Sequence, residues 1–306
     1  MKTITKQFSL YGIASWLALI TGAELFALEP SGEGHKIEVT VSIPPQAYFV
    51  EKIGGELVDV NVMVGPGQSP HTYEPTPRQI TKLAKSSLFF TIGMPYEKAI
   101  IKKVVNFSQV RVVDSNQGLK LRLFSGSEIA GHEEHAGEPD PHTWLNPKNA
   151  KIQARTYTEA LIGLSQDTAA NEILRRNLSD LEKQLDSLDM HLAQALAPFR
   201  GREFYVYHPA FGYFADAYFL RQVPIETEGK EPGAKQLAEL IDKARHDNIK
   251  IIFVQPEISS KGAAAIAEAI NGVVINLDHL AKDYIKNLEA TAIAIRQSLQ
   301  KQDTGP

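Results

Sequence analysis

Eight short apolar runs, rich in β-branched and aromatic residues, most constrain what this chain can become. They fall at Ile37–Ile43, Val58–Val64, Leu88–Ile92 and Val110–Val113 in the first half, and at Glu203–Tyr207, Val223–Glu226, Lys250–Val254 and Val273–Leu277 in the second. Runs such as Ile251-Ile252-Phe253-Val254 are hydrophobic without alternation, as strands covered by helices on both faces must be. Between them lie helical patterns. Thr76-Pro77-Arg78-Gln79 offers a capping box with proline at the first helical position, and Lys235–His246 carries Leu237, Leu240, Ile241 and Ala244 at helical spacing. Strand–helix alternation implies right-handed βαβ units and mostly parallel sheets. The expected fold is α/β: two similar lobes, each a mostly parallel four-stranded sheet with flanking helices.

The segment between the halves is different. Leu174, Leu178, Leu181, Leu185, Leu188, Leu192 and Phe199 recur at three- and four-residue steps, with Asp167 or Thr168 placed to cap the start and Pro198 to close the end. Such a stripe suits either a coiled-coil dimer seam or a rigid helix lying across both lobes with the stripe turned inward. Irregular charge at the flanking positions and its place at the boundary favour the second, which would restrict hinge motion. The expected organisation is a leader over residues 1–27, a lobe over 35–166, the long helix over 167–199 and a second lobe over 200–306.

The leader has Lys2 and Lys6 ahead of an uncharged, mostly apolar run from Phe8 to Ala23. Sixteen residues are short of the ~20 a spanning helix needs, and Ala23 or Ala27 offers a small-residue cleavage position. This reads as a secretory signal peptide, with an uncleaved anchor or a buried helix as the alternative. The expected mature protein is exported, periplasmic, soluble and monomeric. The chain has no cysteine, which excludes disulfides, thiolate zinc fingers, iron–sulfur clusters, a lipid-anchored cysteine and a cysteine nucleophile. With 32 basic against 36 acidic residues there is no positive excess to neutralise phosphates, so nucleic acid is not an expected partner. No P-loop and no GxGxxG follows any of the strands. Any bound metal must meet histidine and carboxylate.

Nine histidines are present. His35 stands just ahead of the first strand, while His191 on the long helix and His246 at a helix end read as solvated residues. His71, His142 and His208 each lie at or beyond the carboxyl end of an expected strand, in loops stiffened by proline, and Asp278 follows the last strand directly. Ligands of open α/β sheets bind at that edge. Two candidates come from each half, so they would converge between the lobes. Three imidazoles and a carboxylate form a four-ligand set suited to Zn²⁺. Asp140, Glu257 and His279 are rival ligands; Asp278 ranks first because it follows its strand immediately.

Ser69-Pro70-His71-Thr72-Tyr73-Glu74-Pro75-Thr76-Pro77, Asp140-Pro141-His142-Thr143-Trp144-Leu145-Asn146-Pro147 and Tyr207-His208-Pro209-Ala210-Phe211-Gly212-Tyr213-Phe214 resemble the three histidine motifs of the zinc/manganese solute-binding proteins of ABC importers. The run Phe253–Lys261 and the aspartate of Asn276-Leu277-Asp278 are similar to that family too, so the resemblance spans about residues 36 to 300. It implies two α/β lobes joined by one long helix, with His71, His142, His208 and Asp278 as metal ligands, and a receptor that delivers its ion to an inner-membrane ABC permease. Three departures stand out. Ser69 occupies a position often acidic in the family, His279 replaces the usual proline after the aspartate, and the long His-rich loop of zinc-type members is reduced to Gly131-His132-Glu133-Glu134-His135-Ala136-Gly137-Glu138. His132 and His135 could capture zinc transiently, or the loop could be a solvated acidic segment. Manganese-type members typically carry glutamate at the third histidine position, so His208 points to Zn²⁺ ahead of Mn²⁺ or Fe²⁺. The ligand histidines must be neutral, so binding is expected to weaken below about pH 6.5. A zinc hydrolase is the competing chemical reading, but Asp278 would fill the open position and neither HExxH nor GxSxG occurs. An adhesin is a third class.

Overall fold

The computed structural model describes residues 36–124, 137–226, 233–257 and 261–303. The leader, His132 and His135 lie outside the described residues. All eight expected strands form. In the first half Ile37–Val41 (β1), Val58–Val62 (β2), Leu88–Thr91 (β3) and Arg111–Asp114 (β4) alternate with helices Pro44–Gly54 (α1), Pro77–Lys85 (α2) and Pro95–Val104 (α3). Helix Pro147–Ile162 (α4) comes next, and Thr168–Leu196 (α5) leads to the second half. There Glu203–Val206 (β5), Gly212–Ala217 (α6), Arg221–Pro224 (β6), Ala234–His246 (α7), Ile251–Val254 (β7), Lys261–Ala269 (α8), Val273–Asn276 (β8) and Tyr284–Asp303 (α9) repeat the pattern.

Both sheets are parallel throughout, in the orders β2-β1-β3-β4 and β6-β5-β7-β8. Each order reverses direction at its second strand, which opens a crevice at the carboxyl ends of the two central strands. β6 begins two residues before the expected Val223, because pairing with β5 sets its register from Glu203 opposite Arg221 to Val206 opposite Pro224. Pro224 is tolerated because β6 is an edge strand.

Helices α1 to α4 all start at proline, whose fixed φ suits the first turn and whose missing N–H costs nothing there. The capping box at α2 forms as expected: Thr76 Oγ1 accepts from Gln79 N–H, and the Thr76 N–H donates to Gln79 Oε1 at 3.0 Å.

At 29 residues, α5 is ~43 Å long. Asp167 caps it by accepting from Ala169 N–H at 2.8 Å. Its residues Leu174, Leu181, Leu185, Leu188, Leu192 and Leu196 are buried, and it packs against α1, α4 and α9. The inward stripe belongs to one chain, as the backbone-helix reading expected.

The apolar interior is continuous across the two halves. Val39, Val41 and Phe90 of the first sheet join the α5 leucines, Phe204, Val206, Ile251 and Phe253 in one cluster. The alternate residues Tyr205, Ile252 and Val254 point to a second, smaller cluster with Ile266 on the far face of the second sheet. No described helix is long and apolar enough to cross a membrane.

Candidate metal centre

His71 lies in the loop from β2 to α2. Gly67, at φ 72°, makes the turn that a side-chain-bearing residue would strain. Tyr73 Oη donates to the Met63 carbonyl at 2.5 Å and Gln79 Nε2 donates to the same oxygen at 3.0 Å. Met63 itself continues the strand ladder through its N–H to Val41 O. The loop carrying His71 is thereby pinned to the sheet edge at both ends.

His142 precedes a single 3₁₀ turn, Thr143–Leu145, that feeds α4. Asp140, wholly buried, accepts through Oδ1 from the backbone N–H of His142 at 2.9 Å and from its Nδ1 at 2.8 Å. Its other oxygen faces Arg122 Nη1 at 3.5 Å. Arg122 also donates from Nε to Asp216 on α6, and its backbone N–H donates to Tyr213 Oη. Gly212 leaves room for that guanidinium, since a Cβ there would lie 2.7 Å from Arg122 Cζ. Thr143 Oγ1 donates to Asn116 Oδ1 and accepts from Gln153 Nε2, which fixes the turn against the first sheet and α4.

His208 follows β5 after Tyr207. Its N–H donates to Gln255 Oε1 at 3.1 Å, and Nδ1 stands 2.5 Å from Oε1 of the buried Glu226.

These local bonds decide what the imidazoles present. An ionised carboxylate only accepts, so in the neutral ring the proton sits on Nδ1 of His142 and His208, and Nε2 carries the lone pair. Those lone pairs converge: His142 Nε2 is 3.2 Å from His208 Nε2 and 3.4 Å from His71 Nε2. Two nitrogens on one tetrahedral zinc at ~2.0–2.1 Å stand ~3.3–3.4 Å apart, so the spacing is that of a coordination edge. Burial, and then the neighbouring imidazoles of the group, hold His71 well below the ordinary histidine range. Burial does the same for His142, with His208 and then the Arg122 charge adding to it. Neutral nitrogens packed lone pair to lone pair repel one another, and a cation between them removes the repulsion. Carboxylates behind ligand histidines orient the ring and raise its basicity.

Glu257, Asp278 and His279 form a second group, each with a ligand-type atom within 4.8 Å of the others. Asp278 Oδ1 accepts from the Leu280 N–H at 2.7 Å. His279 is buried against Trp144, whose Nε1 donates to the His279 carbonyl at 2.8 Å. Burial pushes the Glu257 carboxyl up to about 7, with Asp278 and Glu226 adding to the rise and His208 opposing it.

Of the residues weighed in the sequence, His71, His142 and His208 meet, Asp278 sits with the rivals Glu257 and His279, and Asp140 stands behind His142. Sequence reasoning missed Glu226 and Arg122. Glu226 carried a usable signal: an acidic residue closing an apolar run, at the same edge as the histidines.

A sequence profile described as zinc-uptake complex component A, periplasmic, matches residues 39–298. The chain belongs to this family. Its members are solute-binding receptors of ABC transporters rather than enzymes, and so is this chain. It is 28% identical over 318 residues to the high-affinity zinc uptake system protein ZnuA of Bacillus subtilis, covering 96% of this chain and 98% of that one. It is 27% identical over 280 residues to the manganese ABC transporter substrate-binding lipoprotein PsaA of Streptococcus pneumoniae, covering 85% and 86%. A crystal structure of ZnuA superposes with a TM-score of 0.79 at 38% identity, covering 86% of this chain and 99% of that one.

Asp140→Asn is expected to weaken metal binding by ~10–100-fold, the usual cost of disturbing a ligand's partner. An amide that keeps its oxygen on His142 turns its NH₂ toward Arg122. Calorimetric titration with Zn²⁺ checks it; an unchanged affinity would remove Asp140 from the site.

Proposed function

We propose that this protein is an exported, periplasmic, monomeric receptor that captures Zn²⁺ and delivers it to an inner-membrane ABC permease. The ion is held between two lobes, residues 35–166 and 200–306, joined by the helix over 167–199. His71, His142 and His208 supply three nitrogens, and Asp278 turns from its neighbouring group to supply the carboxylate. The reading is carried by the three inward Nε2 atoms at coordination-edge spacing. Three imidazoles and one carboxylate favour Zn²⁺ over the harder Mn²⁺, which prefers oxygen. Since nearly any such site binds Zn²⁺ in a test tube, the deciding experiment is elemental analysis of protein taken from its native compartment without added metal. One equivalent of zinc supports the reading; one equivalent of manganese or iron with little zinc overturns it.

Acidification tests the donor set. Metal must displace protons from imidazole, so affinity falls with falling pH. With His71 and His142 held below the usual histidine range, the fall starts at a lower pH than the ~6.5 of an exposed histidine. Affinity is therefore expected to hold from pH 7.5 through about 6.5 and to drop only at a lower pH. Dissociation constants equal at pH 7.5 and pH 4.5, on protein still folded by circular dichroism, would count against histidine ligation.

A further inference from the structure

The group beside the three histidines has a feature that a packing role leaves unexplained. His279 is 1% exposed, and neither ring nitrogen has a hydrogen bond among the described residues. A buried polar atom without a partner loses its hydration with nothing in return, so such atoms call for a reason. The ring is held in place all the same. It stacks near Trp144 at 6.1 Å with an interplanar angle of 23°, and its centroid is 5.5 Å from that of His142 and 5.9 Å from that of His208. Its Nδ1 stands 3.3 Å from Glu257 Oε1 without hydrogen-bond geometry. Asp278 brings a second carboxylate within 4.8 Å of both.

We propose that Glu257, Asp278 and His279 form a second divalent-cation position adjoining the three-histidine site. One imidazole nitrogen and two carboxylates make a mixed nitrogen–oxygen set that accepts Zn²⁺, Co²⁺ or Mn²⁺. It satisfies a nitrogen that is otherwise stranded, and it neutralises two carboxylates that crowd each other. Asp278 has two oxygens and can serve both positions, as bridging carboxylates do in two-metal sites. The proposal rests on the first position being a metal site, and the test separates the two.

The test uses the mature chain carrying His132→Ala and His135→Ala, so that the histidines of that loop cannot supply a competing site. Cobalt(II) alone is the probe. Bound ions are counted by native mass spectrometry, and their proximity is read from spin coupling in electron paramagnetic resonance. The expected result is two Co²⁺ per chain as a coupled pair. His279→Ala, and separately the near-isosteric Glu257→Gln, should each reduce this to one uncoupled ion whose affinity stays within about threefold of the parent's first ion.

A parent that binds one ion, lost on His71→Ala, overturns the second position and leaves the receptor reading standing. A single ion weakened by His279→Ala makes His279 a donor to the first ion and also overturns it. Two uncoupled ions, or two that survive both Glu257→Gln and His279→Ala, do the same. A parent that binds none overturns both readings.

Discussion

Replacing His142 with alanine is expected to abolish tight zinc binding, with a loss well beyond the ~10–100-fold typical of a ligand's supporting partner. His142 is the central nitrogen of the group, within 3.4 Å of both other Nε2 atoms. Its removal leaves two imidazoles from opposite halves of the chain and opens a void beneath Trp144. The void bears on folding as well, so His142→Gln, which fills part of it without an imidazole, is the companion variant. Both should unfold in a cooperative transition and fail to bind Zn²⁺ at concentrations that saturate the parent, measured by competition against a chromogenic chelator. Retention of parent-like affinity in either variant would show that the ion sits elsewhere.

The second large effect concerns stability. Trp144→Ala is expected to cost ~3–5 kcal/mol, the range for emptying a buried aromatic site. In a chain of this size that lowers the melting temperature by on the order of 10 °C. Trp144 is 1% exposed and joins elements that are distant in sequence. Its Nε1 donates to the His279 carbonyl, and its own carbonyl accepts from Tyr284 Oη at 2.6 Å. Losing the ring therefore loosens the loops of His142 and His279 together, and zinc affinity should fall with stability. Trp144→Phe keeps most of the bulk and loses the indole N–H, so its melting temperature should lie between the two. An alanine variant that melts within 2 °C of the parent would refute the account.

How much of this was legible beforehand follows from which forces act locally. The strands were readable because a parallel sheet between helices needs continuous apolar residues, and Ile251–Val254 supplies them without ambiguity. The edge of β6 was not, since pairing with β5 rather than hydrophobicity sets where it starts. The three histidines were readable from their places after strands. Their carboxylate partners were not: Glu226 meets His208 from 18 residues away, across a parallel pair, and Arg122 reaches Asp216 from 94 residues away. Asp140 was readable as a rival ligand. Its actual role depends on a hydrogen bond to Nδ1, and no spacing rule distinguishes that from ligation.

The separation of the histidines along the chain has a last consequence. His71 and His142 are 71 residues apart, and His142 and His208 are 66 apart. An ion shared among them, as proposed, would tie together distant segments of a polypeptide that has no disulfide. In the chain-entropy description of covalent cross-links, closing one loop of that length is worth ~4 kcal/mol. On the proposed function the cargo would be a removable staple: a loaded receptor would resist unfolding and proteolysis, and giving up the ion would return the chain to its softer form.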